Sequence, residues 1–542
     1  MIRTEDRAAT LEAVFAAVRS RDMDEAKRLA REALAGGLEH PTLLNLRALD
    51  HEDAGRLEAA LADLRRAAVL APDDFTILNA CGLCLARLDR REEALECYDE
   101  ALAIQPAFGQ AWFNRGAALE RMGEPAKAAS AYARAAEIHP QNPHAWANMA
   151  FLAPRRGDEA GARKYAERSL ALQPDHPTAV MALASVELGQ PAAAEQRLRG
   201  LLTHQLGDTE RGLALNLLGD TLDAQARYGE AFSAYAEGNA TLRGEAAARY
   251  EAPGRMTIPQ ALGWMLDWAE KTDPGRWAAP SRSVQNSAGE VGHVFLVGFP
   301  RSGTTLIESA LVAHPGVVSL EEKEALRAGV VEHLADVHGA SRLETASDWT
   351  LQPLRDDYWA RVREFGVDPA GKVFIDKNPF HTLKLPLIRK LFPEARIIFA
   401  LRDPRDVVLS CFRRRFNLSP ATYEFLDLER TAENYDSTMR LAEILRPKLG
   451  LAEHRLIYER LIADFTGEAR ALCDFIGVDW RDDMIDFAGR ARRGEVSSAS
   501  GSQISRGLFS DGAGQWRRYG EQLAPVMDRL APWVERFGYP SF

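Results

Sequence analysis

Cysteine is scarce in this sequence, with 5 cysteines among 542 residues. A fold that depends on disulfides carries a denser and paired set, so the content excludes a disulfide framework and favours reduced thiols in a cytoplasmic protein. Two of them, Cys81 and Cys84, form a Cys-x2-Cys pair, but no second pair follows. We interpret all five as small core residues rather than as a metal or redox site.

Long apolar runs and an excess of basic residues are also missing. No uninterrupted apolar run reaches the roughly 20 residues of a membrane span. The amino-terminal stretch 1–7 carries acidic residues and lacks the apolar core of a signal peptide. The formal net charge of −11 argues against general nucleic-acid binding, although it is compatible with a local basic cleft. We expect a cytoplasmic protein without a membrane span or a nucleic-acid partner.

The first half of the chain repeats itself. It is rich in alanine, leucine and charged residues at helical spacing, and prolines recur every 34 residues, at Pro72, Pro106, Pro140 and Pro174. This is the tetratricopeptide period, in which proline ends the second helix of each repeat. The pattern predicts an α-helical tetratricopeptide solenoid over residues 9–245, followed by a linker rich in Pro, Ser and Gly over 246–290.

Small and aromatic residues recur inside each repeat. Gly82 and Ala94 lie twelve residues apart, and Tyr98 follows four residues later; the same spacing starts again at Gly116 and at Gly219. The small residues predict close approach of two helices, with the tyrosine filling the space between them. A solenoid of this kind has a concave groove that binds extended peptides or partner proteins. A rigid spacer or a homodimer surface is the alternative.

The segment 293–311 carries the strongest chemical pattern. An apolar run, Val294 to Val297, ends at Gly298, a loop follows to Gly303, and Thr304 opens a helical segment. A strand, a tight turn and a helix together direct backbone N–H groups and the positive end of a helix dipole at one point, where an oxyanion can bind. The spacing Gly298-x4-Gly303 matches the Walker A loop, but Thr304 replaces its lysine.

The cation in this loop is Arg301. Its planar guanidinium group is suited to bind an oxyanion bidentately, alongside the hydroxyls of Ser302, Thr304 and Thr305. Triphosphate chemistry relies on the missing lysine and on magnesium, and no acidic residue is placed to hold magnesium beside the loop. The pattern therefore indicates a phosphosulfate bound without a metal. The alternative is a glycine turn that only joins a strand to a helix.

The heptapeptide Phe-Pro-Arg-Ser-Gly-Thr-Thr, residues 299–305, resembles the 5′-phosphosulfate-binding loop of the sulfotransferase family. The closest likeness is to the tyrosylprotein sulfotransferases and to bacterial proteins that join tetratricopeptide repeats to a sulfotransferase domain. The resemblance implies 3′-phosphoadenosine 5′-phosphosulfate (PAPS) as co-substrate. It also implies a P-loop-like α/β sulfotransferase domain with a central parallel sheet over residues 291–542.

A general base is predicted at Glu322. A hydroxyl acceptor must lose its proton as it attacks sulfur, and a carboxylate can accept it. In tyrosylprotein sulfotransferases a catalytic glutamate follows a His-Pro turn in a Glu-Glu pair, and counting from the loop motif assigns it to Glu322 rather than to Glu321. The alternative is a helix amino terminus, where acidic residues are favoured.

A lysine follows the second buried strand, Val373-Phe374-Ile375. Lys377 lies where a parallel strand stops, so it belongs to the ligand edge of the sheet and can stabilise charge on the departing group. The family has a lysine in a similar Lys-x-Pro context. The alternative is an ordinary surface lysine.

The third strand, 396–402, ends in Arg402, and a helix begins near Val407. Ser410 and Arg414 are four residues apart on that helix, which predicts that they share one face. Arg402, Ser410 and Arg414 resemble the family's 3′-phosphate site. Tyr458, in a fourth strand resembling the Arg-Tyr-Glu segment of the family, is expected near that phosphate, with core packing as the alternative.

The serine- and glycine-rich stretch 497–520 resembles the loop that closes over the donor in relatives. Ser500 lies where a serine contacting the phosphosulfate is expected, accompanied by Gln503 and Arg506. Relatives often have a basic residue before the tryptophan of the Trp-x2-Tyr segment, whereas this chain has Gln515 before Trp516.

The sequence thus predicts sulfuryl transfer to an acceptor hydroxyl or amine, including a protein or peptide tyrosine, with Glu322, Lys377 and Arg301 as catalytic residues. Two alternatives stay open. One is a tetratricopeptide scaffold with an inactive nucleotide-binding domain, and the other is a degenerate P-loop kinase. The identity of the acceptor and the oligomeric state cannot be derived from the sequence, because a fold does not fix a substrate.

Overall fold

The computed structural model describes residues 4–277, 288–486 and 512–541. The chain divides into two compact units, Met1–Val186 and Glu187–Phe542. The domain boundaries predicted from the sequence, at residues 245 and 290, rest on the end of the repeat pattern and on the composition of the linker. They stay a prediction. The last predicted repeat helices belong to the second of these compact units.

The first unit is a series of consecutive helix pairs, as the 34-residue period predicts. The second helix of a pair ends two residues before each repeat proline, as α4 does before Pro72. Its helices are α1 Thr4–Arg19, α2 Met23–Ala35, α3 Pro41–Asp53, α4 Leu57–Leu70, α5 Phe75–Arg87, α6 Arg91–Ile104, α7 Gly109–Arg121, α8 Pro125–Ile138, α9 Pro143–Leu152, α10 Glu159–Leu172 and α11 Pro177–Val186.

Glycine and tyrosine pack against each other inside these pairs. A Cβ atom placed on Gly82 would lie 2.4 Å from Cε1 of Tyr98, and one placed on Gly116 would lie 2.8 Å from Cδ1 of Tyr132. Both tyrosines are buried, at 1% exposure. The predicted close approach of the two helices, with an aromatic ring between them, is confirmed.

The second unit combines helices with a sheet. Its helices are α12 Pro191–Leu202, α13 Asp208–Ala224, α14 Tyr228–Tyr250, α15 Ile258–Lys271, α16 Thr304–Leu311, α17 Arg327–His333, α18 Val337–Glu344, α19 Asp348–Glu364, α20 Leu385–Leu391, α21 Pro404–Arg413, α22 Pro420–Tyr423, α23 Leu428–Leu449, α24 Tyr458–Ala463, α25 Phe465–Ile476 and α26 Gly520–Arg536. The predicted fold class, a helical repeat region followed by an α/β domain, is confirmed.

The sheet is parallel, and its strand order in the described chain is β2-β3-β1-β4-β5. The strands are β1 Gly292–Gly298, β2 Val317–Ser319, β3 Val373–Lys377, β4 Arg396–Leu401 and β5 Ala452–Ile457. The three inner strands are almost wholly buried, as expected of a parallel sheet covered on both faces. Because β1 lies between β3 and β4, the ends of these three strands meet at one edge.

Part of the predicted linker folds into the core of the second unit. Trp268 of α15 and Trp277 are buried, and the indole N–H of Trp268 donates to Oε1 of Glu344 over 2.8 Å. Four of the cysteines are buried, Cys97 is partly buried, and all five are free thiols. Within the described ranges, no helix combines the length and the apolar content that crossing a membrane requires.

Candidate active site

The loop between β1 and α16 has a constrained backbone. Arg301 has a φ of 73° and Gly303 a φ of 94°, in the left-handed region that non-glycine residues rarely adopt. A Cβ atom on Gly298 would lie 2.5 Å from the carbonyl oxygen of Ala400, and one on Gly303 would lie 2.5 Å from Cδ2 of Tyr458. Neighbouring elements therefore require glycine at both positions. A non-glycine residue held in this strained conformation is a common feature of binding loops.

Thr382 fixes the start of this loop, and sequence reasoning missed it. Its hydroxyl donates to the carbonyl oxygen of Gly298 over 2.6 Å and accepts from the N–H of Gly298 over 2.9 Å. Thr382 is fully buried in the short 3-10 helix that follows β3. Both backbone groups at the end of β1 are thus paired with one side chain.

The hydroxyl residues of the loop lie at the amino-terminal end of α16. Ser302, Thr304 and Thr305 are buried, and no side chain among the described residues caps the helix, which begins at Thr304. The first N–H groups of a helix lack carbonyl partners within it and carry partial positive charge, so they bind anions. The predicted strand, turn and helix are confirmed, and the binding roles of these residues stay a prediction.

Arginines from separate elements gather beside the loop. Nε of Arg301 donates to the hydroxyl of Ser410 over 3.1 Å, and Nη1 of Arg402 donates to the carbonyl oxygen of Arg301 over 3.1 Å. Burial, together with the guanidinium groups of Arg414 and Arg402, lowers the pKa of Arg301. Holding these like charges together is unfavourable, and a bound anion would relieve the repulsion.

Arg402 retains an unused donor. It is 8% exposed, and in the described part of the chain its Nε atom is buried without a hydrogen-bond partner. Its guanidinium group also lies over the ring of Tyr458, 4.8 Å from the centroid. A buried cationic donor without a partner is costly, and this one lies beside the cluster formed by Arg301 and Ser410.

Arg414 does not continue the helix that carries Ser410. α21 ends at Arg413, and Arg414 has extended backbone angles, φ −87° and ψ 140°. Arg414 is thus the C-cap residue of α21, four residues after Ser410, and the expectation that the two share one helix face stays a prediction. Both neighbours of Arg414 in sequence form ion pairs with aspartates of α13. Arg414 is still close enough to Arg301 to lower its pKa.

Lys377 forms a second charged centre at the end of β3. Its side chain is fully buried, and Nζ lies 2.7 Å from Oε1 of Glu322 and 3.1 Å from Oε2 of Glu308. Burial alone would lower the pKa of Lys377, but the two carboxylates outweigh burial and raise it. The structure thus brings together Lys377 and Glu322, which the sequence predicted separately.

Glu308 is the member of this centre that sequence reasoning missed. It lies on α16, one helical turn after Thr304, and is 5% exposed. The Ser319 hydroxyl donates to its Oε1 over 2.5 Å. Burial raises the pKa of Glu308 to about 7, although Lys377 opposes the rise. An acidic residue on an otherwise buried helix indicates a carboxylate with a buried partner, and this is the signal that could have identified Glu308.

Glu321 and Glu322 lie in a turn between β2 and α17. Glu321 has a φ of 60°, and its N–H donates to the Ser319 hydroxyl over 3.1 Å. α17 begins only at Arg327, so these residues do not form the first turn of a helix. The side chain of Glu322 is 51% exposed, so it contacts Lys377 on one side and solvent on the other.

Tyr458 stands between two backbone segments. It is the first residue of α24 rather than part of a strand, because β5 ends at Ile457. Besides its contact with Gly303, a Cβ atom on Gly512 would lie 2.5 Å from the Tyr458 hydroxyl. The carbonyl of Gly512 accepts a hydrogen bond from Nη2 of Arg402. Tyr458 therefore lies beside the arginine cluster, as expected, while its role in binding stays a prediction.

The carboxy-terminal segment is anchored on α21. The carboxylate of Asp406 accepts from the N–H of Gly514 over 2.6 Å and from that of Trp516 over 2.8 Å. The guanidinium group of Arg405 lies over the Trp516 ring, 3.7 Å from its centroid. Ser500, Gln503 and Arg506 lie outside the described residues. Among the residues that are described, no group of three or more His, Cys, Asp or Glu is placed to hold a metal ion.

Comparisons with known proteins find matches in both halves of the chain. Residues 293–482 match the sulfotransferase family, and residues 11–75 and 82–143 match the tetratricopeptide repeat. Among solved structures, a tetratricopeptide repeat protein from Parabacteroides merdae is similar with a TM-score of 0.36 and 18% identity, over 43% of this chain and 93% of that one.

Curated relatives match somewhat less than half of the chain. An uncharacterized protein from Aquifex aeolicus is 25% identical over 261 residues, which are 46% of this chain and 33% of that protein. Protein-tyrosine sulfotransferase A from Caenorhabditis elegans is 23% identical over 45% of this chain and 67% of its own length. Protein-tyrosine sulfotransferase 1 from Danio rerio is 25% identical over 45% of this chain and 72% of its own length. The chain spans about a third of the Aquifex protein.

Proposed function

We propose that the protein transfers a sulfuryl group from PAPS to an acceptor hydroxyl or amine, because residues 293–482 match the sulfotransferase family. The observation that carries the proposal is the pair of charged centres at one edge of the sheet. Lys377 with its carboxylates lies at the end of β3, and the cluster of Arg301, Arg402 and Ser410 surrounds the ends of β1 and β4. The arginine cluster would bind an anionic ligand, and the centre at Lys377, which already contains two carboxylates, would act on the group that is transferred.

The donor fits the residues that are present. The amides and hydroxyls of residues 302–305 would hold the 5′-phosphosulfate at the start of α16. Arg402, Ser410 and Arg414, with Tyr458 beside them, would hold the 3′-phosphate, and Ser500 would add a contact to the phosphosulfate. The buried, unpaired Nε of Arg402 and the lowered pKa of Arg301 support an anion here, because its charge would satisfy both.

The protein's own residues would then move one proton and stabilise one developing charge. PAPS supplies an activated sulfuryl group on a phosphate leaving group. Glu322 would accept the proton of the acceptor hydroxyl, because it is half-exposed and faces solvent beside the charged centre. Lys377 and Arg301 would stabilise negative charge on the departing oxygen, and Glu308 would keep the buried Lys377 charged and in place. No metal is required by these roles.

A protein or peptide tyrosine is the acceptor that we propose. Two of the relatives described above are protein-tyrosine sulfotransferases by name. Solenoids of tetratricopeptide repeats form concave surfaces that bind extended peptides, so the acceptor or another partner protein would bind to the repeats. Alternatively, two copies of the protein would form a homodimer through the same surface of the repeats. We propose a cytoplasmic location, supported by the five free thiols.

Thermal-shift measurements test the donor site. 3′-Phosphoadenosine 5′-phosphate (PAP) should raise the unfolding temperature of the protein, whereas ADP, which lacks the 3′-phosphate, should raise it much less. An Arg402→Gln variant should lose the difference between the two nucleotides. Equal shifts by PAP and ADP in the native protein would instead favour a degenerate P-loop kinase.

Mass spectrometry tests the acceptor. Purified protein and PAPS are added to a lysate, and peptides are searched for a gain of one sulfuryl group on tyrosine. Products that form with the native protein but not with Glu322→Gln would support the proposal. PAP binding without any sulfated product would favour the scaffold with an inactive domain.

A further inference from the structure

The last repeat helices pack directly on the end of the helix that carries Ser410. The guanidinium group of Arg413, the last residue of α21, lies between two aromatic rings, 5.3 Å from the centroid of Tyr235 and 5.1 Å from that of Tyr519. Its Nη2 atom lies 3.0 Å from Oδ2 of Asp223 on α13. Burial alone would lower the pKa of Arg413, but Tyr235, Asp223 and the other nearby acidic groups raise it.

A second aspartate of α13 binds the other neighbour of Arg414. Oδ2 of Asp220 lies 3.2 Å from Nη2 of Arg415. Each aspartate is itself oriented by a tyrosine, because the Tyr235 hydroxyl donates to Asp220 over 2.8 Å and the Tyr519 hydroxyl donates to Asp223. The two carboxylates stand one helical turn apart, so they are held on one face of α13.

The backbone at the end of α21 is held as well. Nδ2 of Asn239, a buried residue of α14, donates to the carbonyl oxygen of Phe412 over 2.8 Å. The rings of Phe232 and Phe412 stack with their centroids 5.2 Å apart. Helices α13 and α14 therefore hold the main chain just before Arg414 and the charged side chains on both sides of it.

Arg414 differs from its two neighbours. The structure gives Arg413 and Arg415 carboxylate partners, whereas within the described residues Arg414 has no carboxylate within 4.0 Å of its guanidinium group. Its charge acts on Arg301, whose pKa it lowers. Arg414 is also the C-cap residue of α21, four residues after Ser410, whose hydroxyl accepts from Nε of Arg301 over 3.1 Å. Of three consecutive arginines, the outer two form ion pairs with α13, and the middle one adds its charge to the anion-binding cluster.

We propose that Asp220 and Asp223 position the 3′-phosphate pocket: by binding Arg415 and Arg413 they leave Arg414 oriented toward Arg301 for a phosphate monoester. The proposal rests on the proposed donor. It makes α13 and α14 part of the nucleotide site, although their sequence belongs to the repeats. The aspartates are positioning residues, since they act through Arg414 and do not touch the ligand.

The ratio of two dissociation constants tests this role. Isothermal titration of the full chain gives the dissociation constants of PAP and of AMP, which differ by the 3′-phosphate alone. The ratio of the AMP constant to the PAP constant should fall about tenfold in Asp223→Asn and in Asp220→Asn, the loss expected for one charge-assisted hydrogen bond. Asp208→Asn, an exposed aspartate on the same helix, is the matched control and should keep the native ratio.

The direction in which this ratio changes distinguishes a positioning effect of the aspartates from a simple effect of their charge. Removing a negative charge by itself favours an anion, so a rise of the ratio in the asparagine variants would overturn the proposal. In an Arg414→Gln background the effect of Asp223→Asn should disappear, because positioning acts through Arg414. An undiminished effect in that background would also overturn it.

Two further results keep the test decisive. If the asparagine variants do not fold, Tyr519→Phe removes only the hydrogen bond to Asp223 and should lower the ratio by a smaller factor; an unchanged ratio there contradicts the proposal. If the native protein shows no preference for PAP over AMP, the proposed donor is wrong. A native preference that none of the variants changes leaves the donor intact and refutes the role of α13.

Discussion

Thr382 allows a quantitative test of the loop, because one hydroxyl pairs with two buried backbone groups. Thr382→Val keeps the shape of the side chain but removes the hydrogen bonds of 2.6 Å and 2.9 Å to Gly298. Each buried group left unpaired costs about 1–3 kcal/mol. Two groups therefore cost about 2–6 kcal/mol, and after partial relaxation we expect a local loss of about 3 kcal/mol.

Hydrogen exchange measures this loss where it occurs. Peptides covering 293–303 should exchange about a hundredfold faster in Thr382→Val, since about 1.4 kcal/mol corresponds to a factor of ten. The affinity for PAP should fall with it, because the loop is no longer held. Thr382→Ser retains the hydroxyl and is the matched control. Equal exchange in the valine and serine variants would show that these hydrogen bonds do not hold the loop.

Three other predictions concern the charged centre and the loop. Glu322→Gln should reduce sulfate transfer about a hundredfold or more while PAP affinity stays near native, with Glu321→Gln as the control; equal rates in the two variants would refute the base assignment. The pKa of Glu308 is raised to about 7, so its contribution to stability is complete below its usual value and is lost as the pH rises through 7. Urea unfolding at pH 5 and pH 8 should therefore show the advantage of the native protein over Glu308→Gln shrinking by about 2–3 kcal/mol, and a constant difference would contradict the assignment. Gly303→Ala should abolish the thermal shift by PAP, since its Cβ would lie 2.5 Å from the Tyr458 ring, and a native shift would show that the loop adapts.

The elements that the sequence predicted well are those that local pattern determines. The 34-residue period determines the helix pairs, and the buried runs of β1, β3 and β4 determine the parallel sheet. Since parallel strands end at one edge, the positions of Lys377 and Arg402 beside the loop followed from their places after a strand.

The residues that escaped prediction have partners far away in the sequence. Thr382 binds Gly298 only because β3 pairs with β1 and the 3-10 helix turns back over its end. Glu308 contacts Lys377 through the same strand pairing, and its place on a largely apolar helix is the one local feature that distinguishes it from a solvated glutamate. The ion pairs of Arg413 and Arg415 with α13 also join residues that are far apart in the sequence, so local spacing does not indicate them.

The position of Tyr458 has a consequence for sequence variation. Its ring fills the gap between Gly303 and Gly512, and neither glycine could accept even a methyl group without displacing it. The three positions are therefore one steric unit that must change together. Homologues that keep the tyrosine should keep both glycines, and homologues that carry a larger residue at either glycine should have a smaller residue in place of the tyrosine. Correlated substitution at these three positions in homologues would be evidence of this steric constraint.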